Sequence, residues 1–179
     1  MTRLTLLVLA TLTIAGTALA DMPKPPQEIS DMSKAMAGTW KCTGTGMGMD
    51  GKDTKFTGTM SSKTELDGFW SHNSFQGTMG EGKTAAKYRF ESYSTFDPAM
   101  KKWRVLMMDN LGGSMAGMSD GMKDMKMETQ AEVQDARGKA EFKDHTDMSD
   151  LKTGAHLWGE ESRDGGKTWT KVYDMTCKK

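Results

Sequence analysis

Apolar and polar residues alternate with a period of two along most of the chain after Gly38, as in strands that bury one face. Turn residues such as Asp67-Gly68 and Asp97-Pro98 divide this pattern into short segments. The segments predict ten strands, at residues 39–46, 54–66, 69–77, 84–95, 102–109, 113–119, 124–134, 138–147, 154–162 and 167–177. Because no long helical pattern alternates with them, we expect an all-β, antiparallel fold, either a sandwich or a closed barrel.

The N-terminal residues have a different pattern. Arg3 precedes an apolar run without charges, and Ala18-Leu19-Ala20 fits a small-x-small cleavage site. We therefore expect residues 1–20 to be a signal peptide cut after Ala20, with an uncleaved anchor as the alternative. Residues 21–28 are Pro-rich and are expected to form an extended leader. These features predict export to the periplasm or the extracellular space, without membrane insertion.

A short helix is predicted between the leader and the first strand. Ile29, Met32 and Met36 recur at helical spacing, which predicts a helix at residues 28–36. Residues 29–179 then have the length of one ordinary domain with its own core.

Two cysteines lie near opposite ends of this domain, Cys42 in the first predicted strand and Cys177 in the last. An even number of cysteines in an exported chain favours a disulfide, with two free thiols as the alternative. A disulfide requires Cα atoms within about 7 Å of each other, so the bond would place the first and last strands side by side. In an up-and-down meander that adjacency closes the sheet into a barrel.

Several short motifs resemble those of known barrels. Gly38-Thr39-Trp40, just after the predicted helix, resembles the Gly-x-Trp entry of lipocalin-like barrels. From about residue 30 the chain is more closely similar to the bacterial domain-of-unknown-function family 1579. The shared motifs are Leu66-Asp67-Gly68-Phe69-Trp70, Tyr93-x-x-Phe96-Asp97-Pro98, Lys101-Lys102-Trp103, Met108-Asp109-Asn110 and Asp164-Gly165-Gly166-Lys167-Thr168-Trp169.

This resemblance implies a calycin-like barrel of about ten strands, and it implies no activity. Gly38 and Trp40 would close one end of the barrel, with Lys171 or Lys178 packed over the indole ring. The methionine content and the two cysteines depart from the usual pattern of the family.

Charge and motif content narrow the possible functions. The chain has 24 basic and 24 acidic residues, so it offers no electrostatic reason to bind nucleic acid. It has no P-loop, dinucleotide-binding glycine motif or zinc ribbon. We therefore expect a protein that is not an enzyme and has no cofactor, with an uncharacterised envelope enzyme as an alternative.

A barrel of this size either fills its interior with side chains or holds one small ligand. Six aromatic residues at strand positions are candidates to line such a site: Phe69, Phe75, Tyr88, Phe90, Trp103 and Trp158. The period of two does not determine which face of each strand points inward, so a filled interior remains open. The leading hypothesis is a binding protein for a small apolar ligand; its oligomeric state is left open.

Methionine is unusually frequent, with 18 residues in the chain, and seven of them lie between positions 107 and 127. Closely spaced thioethers favour Cu(I), which suggests a periplasmic copper-binding protein as the alternative hypothesis. The candidate copper ligands are Met115, Met118, Met122, Met125 and Met127. Core packing and reversible oxidation are two further interpretations, and the first four of these residues also fit one face of a helix.

Overall fold

All ten predicted strands are present in the computed structural model, which describes residues 23–48, 51–82, 85–150 and 152–179. Helix α1 (Gln27–Met36) precedes strands β1 (Gly38–Met47), β2 (Asp53–Glu65), β3 (Trp70–Met79), β4 (Ala86–Asp97), β5 (Lys102–Asp109), β6 (Ser114–Ser119), β7 (Lys126–Asp135), β8 (Gly138–Asp147), β9 (Ala155–Ser162) and β10 (Thr170–Lys178). The all-β prediction is confirmed. The predicted signal peptide and the start of the leader lie outside the described residues.

The strands form a closed antiparallel barrel in which each strand pairs with its neighbours in sequence and β1 pairs with β10. Cys42 lies directly opposite Cys177 in this last pair, and the two form the predicted disulfide. The bond closes a loop of 135 residues. By the chain-entropy argument, such a loop stabilises the folded state by about 5 kcal/mol. The disulfide therefore joins the sheet at the seam where the barrel closes.

Side chains alternate between the barrel interior and solvent along each strand, as the sequence pattern predicts. In β1, Trp40 and Cys42 are buried, whereas Thr39, Lys41 and Thr43 are exposed. This alternation follows from the pleat, which directs successive side chains to opposite faces.

Glycines on inward positions of β2 and β3 make room for an aromatic ring. Gly58 and Gly77 lie opposite each other in the sheet. A Cβ atom on Gly58 would lie 2.3 Å from Cζ of Phe75, and a Cβ atom on Gly77 would lie 2.7 Å from the same ring. Because any larger residue would clash, these two glycines allow Phe75 to be fully buried inside the barrel.

Helix α1 covers one end of the barrel, where it packs against β2, β3 and β4. Ile29 is fully buried there, and Nε1 of Trp40 donates a 2.8 Å hydrogen bond to the carbonyl of Met36. Trp40 therefore lies buried at the end of the barrel that α1 covers. However, the basic group over its ring is Nζ of Lys179, 4.8 Å from the ring centroid, rather than Lys171 or Lys178.

The opposite end of the barrel carries a network of ion pairs. Arg137 donates two hydrogen bonds, of 3.0 and 2.9 Å, to the carboxylate of Glu161. Arg163 and Arg137 both also pair with Asp135. Because the Glu161 side chain is largely buried, these pairings satisfy a charge that would otherwise be costly at this end.

Candidate ligand cavity

The barrel interior is not completely filled, and it contains a partly open cavity of about 260 Å³. Methionines Met32 and Met36 of α1 line it at the covered end, and Met47 and Met79 line it near the ends of β1 and β3. Its volume is just below the range of roughly 300–1,000 Å³ that is typical of pockets for drug-sized ligands. The space therefore suits a small molecule.

Most of the cavity wall is thioether and aromatic. Ten methionines line it: Met32, Met36, Met47, Met60, Met79, Met107, Met115, Met122, Met127 and Met175. Phe56, Tyr88 and Phe90 form an aromatic part of the wall. Phe75 stacks between Phe56 and Phe90, with ring centroids 4.6 and 5.4 Å apart. Flexible thioethers adapt their shape to an apolar guest, which suits this wall to binding.

The six aromatic candidates do not form one site. Tyr88 and Phe90 line the cavity, and Phe75 supports the lining rings from behind. Trp103 points inward but lies at the β4–β5 end, where its ring is 5.8 Å from that of Phe96. Phe69 follows the tight turn after β2, away from the cavity lining.

Trp158 is on the outer surface of the barrel. The inward positions of β9 are occupied by Ala155, Leu157 and Gly159, so the indole at the alternate position faces outward. Its ring stacks on the ring of His145, with a centroid distance of 4.7 Å. Trp158 is therefore not one of the residues that line this cavity, because β9 directs its smaller residues inward and places its largest, partly buried one on the outer face.

A carboxylate also faces this cavity. Asp144 lines it from β8 and accepts a hydrogen bond from the hydroxyl of Tyr173 on β10. Burial raises the pKa of the Asp144 carboxyl to about 6, and the Tyr173 hydrogen bond and the nearby His145 only partly oppose that rise. Burial, together with the charge of Asp144, also holds the pKa of Tyr173 well above its usual value.

Gly159 on β9 allows this pair to form. It lies between Asp144 and Tyr173 in the sheet register. A Cβ atom at this position would be 2.4 Å from Cε1 of Tyr173 and 2.5 Å from Cζ of Phe142. The Tyr173 ring can therefore cross β9 to reach Asp144 only because residue 159 has no side chain.

A second polar patch lies on the opposite wall. Asn73 of β3 pairs in register with Ser62 of β2 and with Ser92 of β4. Oδ1 of Asn73 and Oγ of Ser62 are buried, and neither has a hydrogen-bond partner among the described residues. Asn73 and Ser92 line the cavity. An orphaned acceptor in an apolar wall is a place where a ligand can donate a hydrogen bond.

Sequence reasoning missed Asp144, Asn73 and Tyr173 as lining residues. A signal for Asp144 exists, because it shares the parity of Ala140 and Phe142 in β8 and is therefore placed inward. A glycine inside a strand, as at Gly159, also indicates close approach of another group.

The five candidate copper ligands are divided between the inside and the outside of the barrel. Met115, Met122 and Met127 line the cavity. Met118 and Met125 are 41% and 38% exposed. Met118 lies on β6 at the parity opposite to Met115, so the strand separates two side chains that a helix would have placed on one face. The described residues contain no group of three or more His, Cys, Asp or Glu placed to hold a metal ion.

Comparison with known proteins gives a family and no activity. A family model described as a protein of unknown function (DUF1579) matches residues 25–179. This match confirms the resemblance that the sequence motifs indicated. No curated protein matches the chain. In the part of the chain that the structure describes, no helix is long and apolar enough to cross a membrane.

Proposed function

The chain belongs to the DUF1579 family of proteins of unknown function, and we propose that it is an exported, non-enzymatic barrel that binds a small apolar ligand in its interior. The observation that carries this proposal is the cavity of about 260 Å³ with its methionine and aromatic wall. In a barrel with a filled interior, these side chains would pack against one another and leave no space between them. Here they surround space that an apolar molecule can occupy with little exposure to water.

Export is supported by the disulfide between Cys42 and Cys177, because such bonds form and persist in oxidising compartments. The expected signal peptide at residues 1–20 supports the same location. A binding role is favoured over catalysis because no His or Cys lines the cavity within the described residues.

A titration with 1-octanol tests this function. Met115 and Met118 lie on the same strand, one lining the cavity and the other exposed, so they form a matched pair. We expect calorimetry to detect 1-octanol binding to the wild type and to Met118→Phe, and to detect much weaker binding to Met115→Phe, whose larger ring fills the space. Equal binding by both variants, with circular dichroism showing that both are folded, would place the ligand outside the cavity.

Cu(I) binding is a second candidate, which the ten cavity methionines favour because thioethers are soft ligands. A competition titration against a Cu(I) chelator tests it with two sets of Met→Leu changes that preserve side-chain volume. Replacing Met115, Met122 and Met127 should abolish tight binding, and replacing the exposed Met118 and Met125 should leave it intact. If the two sets behave alike, the cavity is not the copper site.

A further inference from the structure

Two walls of the cavity carry hydrogen-bond acceptors that the described residues do not fully pair. Asp144 on β8 and Asn73 on β3 lie on opposite sides, because five strand-to-strand steps separate β3 from β8 in either direction. Among the described residues, Tyr173 is the one donor to the Asp144 carboxylate, and Oδ1 of Asn73 has no donor. A ligand that donates hydrogen bonds could pair with these acceptor atoms, which have few or no donors within the barrel.

The charge of the cavity favours a cation. Among the described residues, no Lys, Arg or His side chain lines it, whereas Asp144 does. A ligand with a carboxylate head group would meet a like charge in a medium of low dielectric constant, and an ammonium group would meet an opposite one.

The surroundings of Asp144 leave that charge without a partner inside the barrel. Thr129 faces it from β7, Gly159 from β9 and Tyr173 from β10. The other titratable groups of these strands near it lie at outward positions: Glu128 on β7, Lys143 and His145 on β8, Glu160 on β9 and Asp174 on β10. With a pKa of about 6, the carboxyl is mostly ionised at pH 7.5, and it faces the cavity with Tyr173 as its hydrogen-bond donor and with no cationic side chain among the described lining residues.

We propose that the cavity binds a small primary amine, whose ammonium group pairs with Asp144 while its apolar body lies among the thioether and aromatic side chains. This inference rests on the proposed function and specifies the class of ligand. A cavity of about 150 Å³ can hold one molecule of benzene. In proportion to its volume, the cavity of this barrel holds a ligand with on the order of ten non-hydrogen atoms.

Three probes with the same chain length test the head group: n-octylamine, 1-octanol and octanoate. At pH 7.5 we expect calorimetry to give octylamine a dissociation constant at least about tenfold below that of octanoate. Asp144→Asn should weaken octylamine about tenfold and change 1-octanol less than about twofold. The matched control Asp174→Asn removes a carboxylate from the outer face and should change neither. Octylamine affinity of the wild type should fall as the pH is lowered through about 6.

The outcomes separate the two proposals. If octanoate binds as tightly as octylamine, or if Asp144→Asn leaves octylamine affinity unchanged, the amine assignment is wrong and the apolar cavity stands. If none of the three probes binds, both proposals are wrong. Binding of 1-octanol by Asp144→Asn also shows that this variant retains the folded cavity.

Discussion

Replacing Asp144 by Asn should stabilise the empty protein at neutral pH. The carboxyl has a pKa of about 6 when folded, against the ordinary 3.8, because burial disfavours its charged form. A carboxyl with a raised pKa binds more protons in the folded chain than in the unfolded chain. It therefore lowers the free energy of unfolding as pH rises from about 4 to about 6, and the loss persists above that range.

The size of this effect follows from the shift in pKa. A difference of about 2 units corresponds to about 3 kcal/mol at pH 7.5. The Asn side chain is neutral, and its carbonyl oxygen still accepts the hydrogen bond from Tyr173. For a domain of this size, 3 kcal/mol corresponds to a rise in Tm of roughly 6–12 °C.

Urea unfolding of the wild type and of Asp144→Asn between pH 4 and pH 8 measures this effect. Because the result is the difference between their two free energies of unfolding, the contributions of the other carboxylates cancel. The Asn variant should gain little at pH 4 and the full amount at pH 7.5. Asp174→Asn is the control of opposite sign, because ion pairs with Lys171 and His156 lower the pKa of Asp174 despite partial burial. A difference for Asp144→Asn that is independent of pH, or a less stable variant at pH 7.5, would refute the reasoning.

Two further predictions concern the parts of the barrel that surround the cavity. Replacing both Cys42 and Cys177 by Ser should lower the free energy of unfolding by about 5 kcal/mol. Urea unfolding at fixed pH measures this loss, and an unchanged midpoint would contradict the stabilising role of the disulfide between β1 and β10. Gly159→Ala should lower stability by about 1–3 kcal/mol, because its Cβ would overlap the Tyr173 ring. Gly46→Ala is the matched control, since its Cβ would lie 3.8 Å from the nearest atom, and equal losses in the two variants would rule out that clash.

The fold was predictable because its strands are determined locally and one long-range constraint, the disulfide, identifies the strands that close the sheet. A period of two over short segments divided by turn residues specified the strands, and the two cysteines specified that the first and last strands are neighbours. The helix at α1 was visible from the spacing of Ile29, Met32 and Met36.

The site was only partly predictable, because it depends on which face of each strand points inward. Phe90 and Tyr88 share a parity with other inward residues, but β9 places Trp158 outside and buries Gly159. From size and hydrophobicity alone, the tryptophan would be predicted to lie in the interior. Asp144 was missed for a related reason, since a carboxylate is expected at the surface.

The ε-methyl groups of methionine provide the most direct test of the ligand cavity. In a carbon-13 methyl NMR titration with 1-octanol, we predict shifts in the signals of cavity residues such as Met107 and Met115. The exposed Met100, Met108 and Met118 should remain unchanged. Shifts confined to the exposed methionines, or no shifts at saturating ligand, would contradict the claim that the interior of this barrel is a binding site.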